Sequence, residues 1–301
     1  MEKIGVIGLG NIAQKAYLPV MATLQDQYEW HLTTRNEAKG EMLEKKYGFK
    51  HFHQTLTELI AEKPLAVFVH TPTPTHFEII KQLLTAGINV YVDKPISTQI
   101  SEVESLYELA EKNHLLLTCG FNRRFAPFNQ DLKKITNKRT IVAEKIREKA
   151  LQKADFAIFD LMIHSVDTAV YLMDEPVNKV DNFAVTNDGN LEQGYITLTG
   201  EKSRAQIITN MIGGSNLELA TVQGDQTRQT VTNLSNLTTY QTSTVTQSSR
   251  PDWETTLVTR GFDPIIKNFL KAVSEGLPNP VSPESSILSH KLCYDLVQTL
   301  K

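Results

Sequence analysis

A short hydrophobic strand at the start of the chain runs directly into a glycine turn. Residues 4–7 read as a buried strand, and Gly8-Leu9-Gly10-Asn11-Ile12-Ala13 after them fits the pattern G-x-G-x-x-G/A. Gly8 permits the tight turn. Gly10 lets the backbone come close to a pyrophosphate, with Asn11 and Ile12 beside it. Ala13 keeps the next helix close on the sheet, and the N-terminus of that helix faces the phosphates. A glycine pattern alone says little. Here it follows a strand, opens a helix and begins a βαβ pattern, and that context marks a dinucleotide site.

The first 120 residues alternate strand and helix. Strands are expected at 30–33, 65–69, 89–92 and 115–118, and helices at 14–24, 37–47, 76–85 and 101–113, with Pro19 kinking or shortening the first helix. Such spacing implies parallel strands with right-handed crossovers, and ligands that bind outside the carboxyl ends of the strands. After residue 121 helices are expected at 126–136, 160–173, 263–273 and 284–300. Strands are expected at 141–146, 195–198, 204–210, 217–223 and 227–234, with Gly224-Asp225 as a hairpin signal. The Thr-, Gln-, Ser- and Asn-rich stretch 221–250 reads as edge strands. The expected fold class is α/β. A Rossmann dinucleotide-binding domain spans 1–120, and an α+β domain with a largely antiparallel open sheet spans 121–301. The last helix is a candidate to pack back on the N-terminal domain.

Composition narrows the partners. A net charge of -3 with 22% charged residues argues for neither nucleic acid nor an anionic membrane surface. No apolar run approaches the ~20 residues that span a bilayer. A strand beginning at residue 4 leaves no room for a signal peptide, and a cytoplasmic protein is expected. Cys119 and Cys293 have neither metal-ligand nor redox-pair spacing and read as reduced core thiols; no metal site is expected.

Dinucleotide sites that prefer NAD place an acid at the tip of the second strand, on the ribose 2′-hydroxyl. Here that strand ends in Thr33-Thr34-Arg35-Asn36, and Glu29 precedes it, roughly 17 Å from the tip. The missing acid removes repulsion against a 2′-phosphate, and Arg35 offers a guanidinium to pair with it. NADP(H) is the preferred cofactor on this reading, with NAD(H) as the alternative.

Four stretches carry candidate chemistry. Asp93-Lys94-Pro95 follows a buried strand, which puts Lys94 at the carboxyl edge of the sheet, where an ammonium can polarise a carbonyl or hold a hydroxyl. Asp93 either orients Lys94 or meets a ribose. Asp160, His164 and Asp167 lie four and three residues apart, so they share one face of an otherwise apolar helix. His164 titrates near neutrality and suits proton exchange; the alternative is that Asp160 caps the helix and His164 is a satisfied core imidazole. Arg123 and Arg124 either meet substrate or cofactor or anchor the second domain through ion pairs. Lys145, Arg147 and Lys149 alternate along a strand, as a solvated face or as a seat for a carboxylate or phosphate of the substrate.

Taken together, these motifs resemble the glucose–fructose oxidoreductase / inositol dehydrogenase / MocA family, and within it the MviM-like branch. GLGNIAQKAYLPV, FVHTPTPTHF, YVDKPIS, GFNRRFAPF and DLMIHSVDTAVYL carry the likeness, with Trp253 and Arg260-Gly-Phe towards the C-terminus. The resemblance implies an NAD(P)-dependent oxidoreductase acting on CH–OH groups of a small sugar, polyol or acidic derivative, in a homodimer or higher homo-oligomer. It implies Lys94, Asp160 and His164 as the catalytic set, with Asp93 standing where the family usually has Glu. Thr71, Pro72, Thr73 and His76 fall in a cofactor loop, and Asn122 near the nicotinamide. Substrate contacts are expected from Lys94, Arg123, Arg147, Asp160 and His164, with His164 exchanging the hydroxyl proton. A non-catalytic NADP(H)-sensing regulator on the same fold is the alternative function.

Overall fold

The computed structural model describes residues 1–300. The chain divides into two compact units. The first comprises Met1–Gly120 and Phe262–Pro283; the second comprises Phe121–Gly261 and the C-terminal stretch from Glu284. The returning segment differs from the expectation. The helix Phe262–Glu275 belongs to the first unit, whereas the last helix, Pro283–Gln298, belongs to the second from Glu284 onwards. Aromatic packing accounts for this. Phe269 lies 5.3 Å from Phe68 and 5.5 Å from Tyr91 between ring centroids, and Phe262 lies 5.5 Å from Tyr17.

The first unit holds six parallel strands: β1 (Glu2–Ile7), β2 (Tyr28–Thr33), β3 (His51–His53), β4 (Ala66–Val69), β5 (Asn89–Val92) and β6 (Leu117–Cys119). Their order is β3-β2-β1-β4-β5-β6, so the winding direction reverses between β1 and β4. Such a reversal opens a crevice at the carboxyl ends of the strands. Every residue of β4 is buried, as a parallel strand covered on both faces requires. Strand β3 and the helix Leu56–Ala61 were not expected from the sequence; three residues are too few to show a period. Pro19 lies in the first turn of the helix Leu18–Ala22, where no N–H is needed, and the preceding turn Ala13–Tyr17 widens into a π-turn. Asn279 closes the β6 edge: its Oδ1 accepts from Thr118 Oγ1 at 2.8 Å, and its Nδ2 donates to Leu117 O at 2.7 Å.

The second unit is built on eight strands: β7 (Thr140–Glu148), β8 (Lys179–Asn187), β9 (Asn190–Thr199), β10 (Arg204–Gly213), β11 (Leu217–Gln223), β12 (Arg228–Thr232), β13 (Asn236–Gln241) and β14 (Thr244–Ser249). The order is β14-β13-β12-β11-β7-β10-β9-β8, antiparallel except for the β7–β10 pair. The polar stretch after residue 221 is therefore ordered strand, with the Gly224-Asp225 turn joining β11 to β12. Strand β8 was not expected from the sequence.

The helix bearing Asp160 begins earlier than expected, at Ala154. It passes through a π-turn at Ile158–Met162 and continues as Ile163–Leu172. Asp160 is thus internal to the helix and does not cap it. The same helix carries a buried ion pair. Asp167, 1% exposed, accepts from Arg124 Nε at 3.0 Å and from Arg124 Nη2 at 2.5 Å, and Ser289 Oγ adds a third donor at 3.1 Å. Arg124 Nη1 donates to Ser285 Oγ at 2.7 Å. One guanidinium therefore ties the turn Asn122–Phe125 to the helix Ile163–Leu172 and to the last helix. Asp167→Ala strands this buried cation, and a loss of about 3–5 kcal/mol in urea denaturation is expected. A loss below about 1 kcal/mol, the scale of a surface pair, contradicts the tie.

Candidate active site

The glycine turn is held by backbone contact. Gly8 has φ +93°, and a Cβ built there falls 2.4 Å from both the carbonyl carbon of His70 and the amide nitrogen of Thr71. The loop after β1 therefore packs directly on the loop after β4, and only glycine fits between them. Gly10 differs: a Cβ there meets nothing within 4 Å, so its backbone borders open space. Asn11 and Ile12 follow, exposed, and Ala13 is fully buried against the sheet. A bare, open backbone at a helix N-terminus fits a pyrophosphate.

Around this turn the expected cofactor residues take different parts. Thr34 N–H donates to His53 O at 2.9 Å, and Thr34 Oγ1 accepts from Asn36 N–H at 3.1 Å. Asn36 caps the helix Glu37–Tyr47 through Lys39 N–H, which leaves Arg35 exposed just ahead of that helix. No acid stands between Thr33 and Asn36. Thr71 Oγ1 accepts from Thr75 Oγ1 at 2.8 Å, and Pro72 and Thr73 lead into the turn Thr73–Thr75. His76 is not a surface group. It is 1% exposed, with Nδ1 2.9 Å from Pro95 O and Nε2 2.7 Å from Thr71 O. It braces the cofactor loop against the Asp93-Lys94-Pro95 turn instead of reaching a ligand itself.

Asp93 Oδ1 accepts from Tyr17 Oη at 2.7 Å, and Tyr17 Oη lies 3.2 Å from Tyr91 Oη. Burial, reinforced by the Asp93 charge, pushes the Tyr17 phenol well above its ordinary range, so it stays a donor to the carboxylate. Lys94 follows, half-buried. His70, just after β4, lies in the strand-end stretch 70–75 where the sequence places ligands, although no role was assigned to it. Its ring lies 3.9 Å from Tyr17, neither ring nitrogen has a hydrogen-bond partner, and burial pushes the imidazole down to about 3. It is neutral at any physiological pH.

The second unit gathers a different set. Arg123, 6% exposed, uses all three guanidinium nitrogens in bonds within the unit. Nε and Nη2 donate to the two oxygens of Glu218, the latter at 3.0 Å, and Nη1 donates to His164 Nδ1 at 2.7 Å. Lys145 Nζ donates to the same Glu218 carboxylate from the paired position on β7. These two cations hold the Glu218 carboxyl far below the usual range against the opposing effect of burial. Burial in turn pushes the Lys145 ammonium down.

The expected roles change accordingly. Arg123 positions His164, and its bonds to Glu218 and His164 account for three of the five guanidinium N–H groups. Arginine only donates, so Nδ1 of His164 accepts, and the neutral imidazole carries its proton on Nε2. Asn122 is 2% exposed, and its Nδ2 donates one hydrogen bond to Arg260 O at 2.7 Å. Gly261 makes that contact possible, since a Cβ there falls 2.0 Å from Asn122 O. The stripe Lys145, Arg147, Lys149 dissolves. Lys145 is paired, Lys149 lies beyond the strand with φ +46°, and Arg147 alone is half-buried with an unpartnered Nε. Asp160 lies in the π-turn one turn before His164, a helix irregularity that recurs at functional sites.

The family model described as "Oxidoreductase family, NAD-binding Rossmann fold" matches residues 2–121. The crystal structure of the dehydrogenase MviM from Clostridium difficile is 30% identical, with a TM-score of 0.93, covering 99% of this chain and 99% of that one. The chain belongs to the Gfo/Idh/MocA oxidoreductase family. A family oxidoreductase from Vibrio cholerae is 28% identical with a TM-score of 0.93, covering 100% of this chain and 98% of that one. The myo-inositol 2-dehydrogenase of Thermotoga maritima is 30% identical over 190 residues, 59% of this chain and 57% of that protein. Among the described residues no helix is long and apolar enough to cross a membrane.

The Glu218 network has a measurable pH signature. A carboxyl whose folded pKa lies below its unfolded value of 4.5 stabilises the fold above that pH, and this contribution fades as pH falls below it. Wild-type stability should therefore drop between pH 7 and about pH 3.5, more steeply than that of Glu218→Gln. At pH 7 the variant should be less stable by on the order of 3 kcal/mol. Parallel pH profiles of the two proteins in urea denaturation contradict the assignment.

Proposed function

We propose that the protein is an NADP(H)-preferring dehydrogenase of a small polyol, sugar or acidic derivative. The observation that carries the reading is the bare backbone at Gly10 beside the Gly8 turn, on a strand tip with an exposed Arg35 and no acid. The myo-inositol 2-dehydrogenase relative supports a polyhydroxy substrate. Bound nicotinamide supplies the hydride chemistry; the chain supplies binding and proton handling. Lys94 holds the reacting oxygen and exchanges its proton. On the second unit, His164 is kept in the Nε2–H form by Arg123 and offers that N–H to a substrate hydroxyl, where the sequence reading gave it proton exchange. Asp160 orients the substrate hydroxyls, and Arg147 offers its guanidinium to an acidic substituent. We further infer a homodimer through the open face of the eight-stranded sheet, whose strands carry the exposed Phe183, Tyr240 and Val245.

Titration with NADPH and NADH side by side, following nicotinamide fluorescence, tests the cofactor. NADPH should bind tighter, and Arg35→Ala should weaken it by roughly tenfold while leaving NADH nearly unchanged. Equal binding of the two cofactors removes the strand-tip argument. For the chemistry, Lys94→Ala should lower turnover on a polyol and sugar panel by about 100-fold or more, with cofactor affinity retained. Turnover that survives in full excludes Lys94. Tight NADPH binding with no turnover across the panel favours the sensor.

A further inference from the structure

The outer edge of the nucleotide-binding sheet carries a cluster that the dehydrogenase reading does not use. His51-Phe52-His53 places two imidazoles on one face of β3, because side chains two apart in a strand point the same way. His31 on β2 is in register with His51. The rings stack: His31 lies 4.6 Å from His51 and 5.2 Å from His53, within 11° and 8° of parallel. His31 is 2% exposed. Its Nε2 lies 2.8 Å from Glu29 Oε1 and its Nδ1 lies 2.9 Å from His53 Nε2.

Ligand atoms of Glu29, His31 and His51 all lie within 4.8 Å of one another, and so do those of His31, His53 and Glu62. The first group is the better built. Its three donors stand on paired strands, whereas Glu62 is already held by Lys3 Nζ at 2.7 Å. Glu29 Oε1 already stands 2.8 Å from His31 Nε2, so carboxylate and imidazole face one another.

We propose that Glu29, His31 through Nε2, and His51 bind one divalent transition-metal ion of the zinc class. Two imidazoles and a carboxylate suit that class and leave a fourth position for water. His31 binds as the neutral ring by moving its proton from Nε2 to Nδ1, where it donates to His53 Nε2. That is the outer hydrogen bond a ligating histidine needs to hold its orientation. The ion would pin β3 to β2 next to the nucleotide loop, because Thr34 N–H hangs on His53 O at 2.9 Å.

The test is calorimetric titration of chelator-stripped, full-length protein with zinc sulfate, with thermal unfolding in parallel. One ion per chain, binding in the micromolar range or tighter and raising the unfolding temperature, is expected. Glu29→Gln and His51→Ala should each weaken binding by roughly tenfold or more, whereas Glu62→Gln should change it by less than about threefold. Neither variant replaces the buried His31, and both positions are less buried than it is, so both should fold. Three outcomes overturn the proposal: no saturable binding up to about 1 mM zinc, which leaves the cluster a hydrogen-bonded ladder; unchanged affinity in the Glu29→Gln/His51→Ala double variant; or a loss found only in Glu62→Gln. None of these readouts depends on dehydrogenase activity, so failure here and failure of the functional reading are separable.

Discussion

The contact between two bare stretches of backbone, at Gly8 and at His70–Thr71, is the constraint on which the nucleotide site depends. No side chain fits between them. Because the loops after β1 and β4 meet there, the next helix must start at once, and its first free N–H groups face the open space beside Gly10. The surrounding groups preserve that arrangement. Ala13 is buried flush on the sheet, and His76 links the carbonyls of Thr71 and Pro95, so the loop after β4 and the turn at Lys94 are fixed together. The buried Tyr17 phenol holds Asp93 in the same way. Each of these is a positioning contact made by a group that never needs to touch a ligand.

The second unit solves a different problem, which is how to keep several cations inside a fold. Arg123, Arg124 and Lys145 are all buried, and an isolated charge would be costly there. Two carboxylates answer them. Asp167 takes Arg124 in a fork, and Glu218 takes Arg123 and Lys145 together. Breaking either arrangement on one side leaves an unpaired buried charge, so these pairs matter more for holding geometry than for net stability. The arrangement has a chemical consequence at its edge. The one guanidinium nitrogen of Arg123 that Glu218 leaves over goes to His164, and that bond decides which ring nitrogen carries the proton.

Local sequence held the fold class and much of the site. The glycine turn, the buried β4, the capped helix Glu37–Tyr47 and the hairpin at Gly224-Asp225 all rest on neighbours within a few residues, and such signals survive in a linear reading. The elements that escaped lacked local signals. Strand β3 is too short to show a period. The helix at Ala154 carries a π-turn that blurs the 3.6-residue repeat and shifts its start away from Asp160.

By itself the sequence determined that a strand, a glycine turn and a helix begin a nucleotide-binding sheet, and it singled out Lys94, Asp160 and His164 as the proposed chemistry. What each polar group is free to do was decided only by tertiary structure. Arg123 and Glu218 are 95 residues apart, and Arg124 and Asp167 are 43 apart. Their pairing depends on the register of β7 with β11 and on the packing of helices, and no local pattern encodes either. A charge counted along the chain reads as available. Only the fold shows that Arg123 donates to Glu218 and His164, that Asn122 donates to Arg260, and that three histidines from two stretches of the chain stack at one sheet edge.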